Sequence, residues 1–216
     1  MYEVIPSPGT DNRDWPTIER KIEIARSFAK TIHIDIVDEK FSSKASFLDP
    51  KPFSQYKDLF LELHMMVKNP LELLEPFAKV GFNRFIAHAE SFKTKDEQQE
   101  FVAKAQSFGE VGLAIDGPTD LSAIKVPYKD LDCILIMTIK AGESGQEFNH
   151  KYLKKVETLR QAQGDIVIEV DGGINDQTII EAKNAGATRF ITNSFIFNAQ
   201  NPQEQYNLLK ERIRKW

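Results

Sequence analysis

The sequence predicts an α/β fold of the (β/α)8, or TIM-barrel, class on three observations. Eight short apolar runs rich in β-branched residues recur along the chain, stretches of helical period lie between them, and no linker interrupts the alternation. Eight strands with intervening helices favour a closed sheet, because closure leaves no unpaired edge.

The predicted strands are Glu3–Pro6, Thr31–Val37, Phe60–Val67, Arg84–Ala89, Val111–Ile115, Cys133–Ile139, Ile166–Val170 and Arg189–Thr192. The helical stretches are Trp15–Ala29, Pro70–Val80, Lys95–Phe108, His150–Gln163, Asp176–Ala185 and Pro202–Lys215, with weaker ones near Lys51–Gln55 and Leu121–Ile124. Asp14, Asn69 and Asn175 stand where helix N-caps are expected, and Gly81 and Gly186 follow two helix ends. At 216 residues the chain has the size of one such domain, so residues 1–216 are read as a single barrel.

Composition narrows the function. The 28 Lys and Arg against 32 Asp and Glu leave a net charge of −4, which lacks the basic excess of a nucleic-acid binder. No apolar run approaches the roughly 20 residues needed to span a bilayer, and Met1–Pro6 carries no basic region ahead of an apolar stretch. No membrane association or secretion is expected. The single cysteine, Cys133, sits in an apolar run and suits a reducing cytoplasm.

Period-two alternation sorts the polar strand residues onto one face. In Thr31–Val37 the isoleucines Ile32, Ile34 and Ile36 point toward the helices while His33 and Asp35 point inward. In the third strand Glu62, His64 and Met66 point inward, and in the seventh Glu169 and Asp171 do. A lone inward histidine is more often a hydrogen-bonded core residue, and a lone strand-end aspartate more often caps a turn. Two of each at the carboxyl ends of three strands differ, because buried unpaired charges cost several kcal/mol unless a metal or partners compensate them. A His2Asp2 set suits Zn²⁺, Fe²⁺, Mn²⁺ or Co²⁺. For an anion, candidate cradles are Gly142 with Gly145 after strand six, Gly172-Gly173 after strand seven, and Asn193-Ser194 after strand eight.

These segments, in order, resemble the ribulose-phosphate 3-epimerase family. The likeness runs through Ile5-Pro6-Ser7, His33-Ile34-Asp35-Ile36-Val37-Asp38, His64-Met65-Met66-Val67, Gly112-Leu113-Ala114-Ile115, Met137-Thr138-Ile139, Gly145-Gln146-Glu147-Phe148, Glu169-Val170-Asp171-Gly172-Gly173-Ile174 and Ala185-Gly186-Ala187. The resemblance implies a barrel of the ribulose-phosphate-binding type that interconverts D-ribulose 5-phosphate and D-xylulose 5-phosphate with one divalent metal ion. It implies His33, Asp35, His64 and Asp171 as ligands, Asp35 and Asp171 also as the acid/base pair, and Ser7, His64, Met66 and Met137 at the substrate. It further implies a sugar-phosphate partner, a homo-oligomer, and a cytoplasmic place in the pentose phosphate pathway.

The chain departs from the family at the phosphate end. Val37-Asp38-Glu39 stands where Met-Asp-Gly is usual, Ala141-Gly142-Glu143-Ser144-Gly145 replaces Pro-Gly-Phe-Gly-Gly, and Asn193-Ser194 replaces Gly-Ser. Two alternatives therefore stand beside the epimerase reading: a related barrel lyase or isomerase acting on another sugar, and a catalytically degenerate paralogue that only binds ligand.

Overall fold

Strand alternation builds this fold from the inside out, as a computed structural model of the chain shows; it describes residues 2–10, 13–42, 45–142 and 146–214. The eight strands are β1 (Glu3–Pro6), β2 (Thr31–Val37), β3 (Phe60–Met66), β4 (Phe82–His88), β5 (Glu110–Ile115), β6 (Cys133–Met137), β7 (Val167–Asp171) and β8 (Arg189–Thr192). All pair in parallel, in the order β1-β8-β7-β6-β5-β4-β3-β2. Strands β1 and β2 stand side by side at the remaining seam, where the described residues form no backbone ladder. Side chains join them instead: the Thr31 hydroxyl donates to Glu3 Oε1 at 2.6 Å, and the Ser7 hydroxyl donates to Asp35 Oδ2 at 2.5 Å. The predicted barrel is thus observed, nearly closed.

The helices are α1 (Trp15–Arg26), α2 (Leu71–Lys79), α3 (Lys95–Gln106), α4 (Leu153–Ala162), α5 (Thr178–Ala185), the single turn α6 (Ser194–Phe197) and α7 (Pro202–Arg214). Short 3-10 turns stand in place of full helices after β2 and β5, at Lys51–Gln55, Leu121–Ala123 and Tyr128–Asp130. No helix among the described residues is long and apolar enough to cross a membrane.

Three of the differences from the expected boundaries have a hydrogen-bonding cause. Helix α1 stops before Ala29, where the Ser27 hydroxyl donates to the Ile24 carbonyl at 2.8 Å. Helix α5 starts at Thr178 because Asn175 Oδ1 accepts the N–H groups of Gln177 and Thr178, forming a turn first. Asp14 caps α1 through Thr17 N–H as expected, whereas Asn69 does not cap α2; its amide donates to Glu72 at 3.1 Å. Strand β6 ends at Met137, where the Thr138 hydroxyl turns toward the carbonyls of Asp171 and Gly172.

Outward residues Ile32, Ile34, Ile36, Leu61, Leu63 and Met65 join the helices in the main core, as the alternation requires. A second, smaller apolar cluster, including Ile5, Ile86, Leu135 and Met137, fills the barrel interior. That interior is polar at both of its ends.

Candidate active site

Register alone assembles the floor of the barrel. His33, Glu62, Arg84 and Glu110 lie opposite one another across β2 to β5, and Glu169, Arg189 and Glu3 across β7, β8 and β1. Arg84 pairs with Glu62 and with Glu110 at 2.7 Å, and Arg189 with Glu169 at 2.8 Å. Burial works against the Arg84 charge, but Glu62 and Glu169 outweigh it and hold the guanidinium ionised. Glu169 is pushed up to about 6 by burial and by the charge of Glu62. The Glu62 carboxylate also contacts His33 Nδ1, tying this floor to the layer above.

Two residues further along β2, β3 and β7 the same face carries Asp35, His64 and Asp171, which with His33 make up the predicted cluster. Donor atoms of His33, Asp35, His64 and Asp171 all lie within 4.8 Å of one another. Asp35 Oδ1 is 3.2 Å from His33 Nε2 and 2.8 Å from His64 Nδ1, and Asp171 Oδ2 is 4.0 Å from the same Nδ1. Both imidazoles are fully buried, while the side chains of Asp35 and Asp171 are 7% and 18% exposed toward the mouth. Burial would raise the Asp35 carboxyl, but the charge of His33 and hydrogen bonds to His33 and His64 hold it below the usual range. Asp171 is pushed up to about 7 by burial and by Asp35. His64 is pushed down to about 4 by burial, against the pull of Asp35. Two imidazole nitrogens and two carboxylates converging in this way fit a divalent first-row metal, and the Glu62 contact to the other nitrogen of His33 is the kind of partner that orients a ligating histidine.

A cavity of about 310 Å³ opens over the two carboxylates. Ser7, Met66, Met137, Gly142, Gly172, Gly173, Asn193 and Ser194, all expected at the substrate, line it. Gly145, with Glu143 and Ser144, falls outside the described residues. His64, expected to touch substrate as well as metal, lies fully buried behind the lining. The adjacent glycines are required here: Gly172 and Gly173 have φ of +113° and +67°, and a Cβ on Gly173 would stand 2.8 Å from the Phe148 backbone nitrogen. Gln146, carried by the family resemblance, also lines the cavity and braces its loop by exchanging hydrogen bonds with the backbone of Lys140.

The sequence pattern of the Ribulose-phosphate 3 epimerase family matches residues 13–197. The chain belongs to this family. It is 32% identical over 197 residues to the ribulose-phosphate 3-epimerase of Chlamydia muridarum, covering 87% of this chain and 86% of that one. To the ribulose-phosphate 3-epimerase of Schizosaccharomyces pombe it is 27% identical, covering 100% of this chain and 96% of that one. The chain is thus an enzyme of the ribulose-phosphate 3-epimerase type, as the resemblance implied. Among solved structures it is similar in fold to a ligand complex of KGPDC from Streptococcus mutans, with a TM-score of 0.73 at 15% identity over 99% of this chain and 98% of that one. It is also similar to 3-hexulose-6-phosphate synthase from Salmonella typhimurium, with a TM-score of 0.69 at 14% identity over 100% and 99% of the two chains. Both likenesses are of fold.

Sequence reasoning passed over four residues near the site. Arg84 and His88 share the inward face of β4 with Ile86, so the alternation that located Asp35 would have found them. Arg189, at the first position of β8, was visible in the same way. Lys21 was not: it lies within α1 and reads as part of a solvated helix face, yet it lines the cavity and donates to the Pro8 carbonyl at 2.7 Å and Asn193 Oδ1 at 3.3 Å.

Proposed function

We propose that this enzyme inverts C3 of D-ribulose 5-phosphate to give D-xylulose 5-phosphate with one divalent metal ion and with Asp35 and Asp171 as the proton-transfer groups. The observation that carries the reading is the placement of two carboxylates, from strands separated by β1 and β8, at the floor of one cavity and within one ligand set. A divalent cation held by His33, Asp35, His64 and Asp171 would supply the Lewis acidity that lets the substrate's carbonyl oxygen take up negative charge.

Inversion at carbon needs a proton removed from one face and another delivered to the opposite face. Asp35 serves one face and Asp171 the other, and their roles exchange in the reverse direction. Ser7 orients Asp35 by donating to Oδ2, and its own oxygen accepts the Gly9 N–H at 3.0 Å. Met66 and Met137 provide soft walls without titratable protons and help keep water from the planar intermediate.

The phosphate lies toward Gly172, Gly173, Asn193 and Ser194, beside Lys21, the one cation among the described lining residues. The altered loops of this chain are then offset by a lysine charge. That a protein of similar fold is a 3-hexulose-6-phosphate synthase agrees with a sugar phosphate here. The buried free thiol of Cys133 suits the cytoplasm, where we place the enzyme.

The test is proton–deuterium exchange in heavy water, followed by NMR on ribulose 5-phosphate, with metal-free protein and protein loaded with Fe²⁺, Mn²⁺, Co²⁺ or Zn²⁺. Metal-dependent exchange at C3 with xylulose 5-phosphate appearing is the expected result. No exchange with any of the metals, or a chain-shortened product, would overturn the reading.

A further inference from the structure

Behind the ligand cluster a line of polar side chains leads away from the cavity. His88 ends β4 and is fully buried. Its Nε2 lies 2.9 Å from His64 Nε2, with the two ring planes 21° apart and the centroids 5.0 Å apart. On its other side His88 Nδ1 is 3.1 Å from Glu90 Oε2. Glu90 is itself anchored, because its Oε1 accepts the Asp116 N–H at 2.7 Å, and Asp116 Oδ1 accepts the Ala141 N–H at 2.7 Å. Phe41 packs edge-on against the His88 ring at 5.0 Å and 62°.

Resting on the metal site proposed above, we infer that His88 and Glu90 are positioning residues that make His64 a metal ligand through Nδ1. A carboxylate only accepts, so Glu90 requires the His88 proton on Nδ1. With a single proton on each ring, His88 Nε2 is the acceptor in this line, and it requires the His64 proton on Nε2. His64 Nδ1, the nitrogen that faces Asp35 and Asp171, is left with its lone pair directed into the cluster. Three contacts run along this line, Asp35 to His64, His64 to His88 and His88 to Glu90, and one proton on each ring can serve only two of them. A cation in the first contact leaves each of the other two with its proton.

Without His88 the competing arrangement wins. Asp35 Oδ1 sits 2.8 Å from His64 Nδ1 and would draw the His64 proton onto that nitrogen, turning the ligand lone pair into a donor. His88 withholds this alternative by offering an acceptor at the far nitrogen. The anchoring of Glu90 through the loops after β5 and β6 ties the direction of His64 to the same wall of the barrel that carries Ala141 and Gly142.

Two measurements test this. In long-range proton–nitrogen NMR spectra of the Zn²⁺-loaded wild-type protein, His64 should carry its proton on Nε2 and His88 on Nδ1; the opposite tautomers would overturn the inference whatever the variants do. In a titration with Co²⁺ followed by visible absorption, His88→Phe keeps the ring and removes its hydrogen bonds, and should bind about 10- to 100-fold more weakly than wild type. His88→Gln, whose amide oxygen offers an acceptor, should recover most of that loss. Equal Co²⁺ affinity in His88→Phe and wild type overturns the inference and leaves the metal site standing. No Co²⁺ uptake by wild type overturns the metal site itself, and this inference with it.

Discussion

The barrel interior has two polar ends, and they are balanced differently. At the floor every buried acid has a cation from the chain itself: Arg84 meets Glu62, and Arg189 meets Glu169. At the mouth Asp35 and Asp171 converge with two imidazoles, one of which, His64, burial holds neutral. Asp171 is raised to about 7 there, as expected for a carboxyl that shares a site with another and has too little positive charge beside it. Self-contained charge of the first kind maintains a fold. Charge left to be completed from outside marks a place for a ligand.

The comparison is broken most sharply at the mouth. Asp171→Asn should lower epimerase kcat by about a thousandfold while the metal-free protein melts no lower than wild type, because a burial-disfavoured carboxyl has been replaced by a neutral amide. Near wild-type turnover in the folded variant would end the two-carboxylate mechanism. At the floor the opposite balance is expected. Arg84→Met leaves the buried Glu62 without its main cation and should cost about 3–5 kcal/mol of unfolding free energy in urea titrations. Unchanged stability would show that the floor pairs are not what neutralises Glu62. The smallest effect lies at the rim, where Lys21→Met should raise KM for ribulose 5-phosphate about tenfold with kcat little changed. Turnover of unphosphorylated ribulose should be unaffected; a parallel loss on both sugars would place Lys21 away from the phosphate.

Much of this contrast was legible before folding. Alternation in Thr31–Val37 separates His33 and Asp35 from three isoleucines, because successive strand side chains must point to opposite faces, and the same rule locates His64 and Asp171. The glycines after β7 were legible as a turn, and their positive φ values explain why no other residue suits. Lys21 was hidden, since helical period reports which face meets the core and says nothing about a side chain that reaches from its helix to the loops after β1 and β8. The pairing of Arg84 with Glu62 and of His88 with His64 was hidden for a related reason: alternation names the inward residues of each strand, but which of them meet depends on register between strands.

By itself, then, the sequence determined the order of strands and helices, the inward face of each strand and the chemical character of the mouth, all of which follow from local periodicity and side-chain type. Tertiary structure alone decided which inward charges are neutralised by the chain, which nitrogen of His64 faces Asp35, and which helix lends a lysine to the cavity. Those are distances between residues far apart in sequence, and only the parallel register of the nearly closed barrel and the helices packed on it bring them within reach of one another.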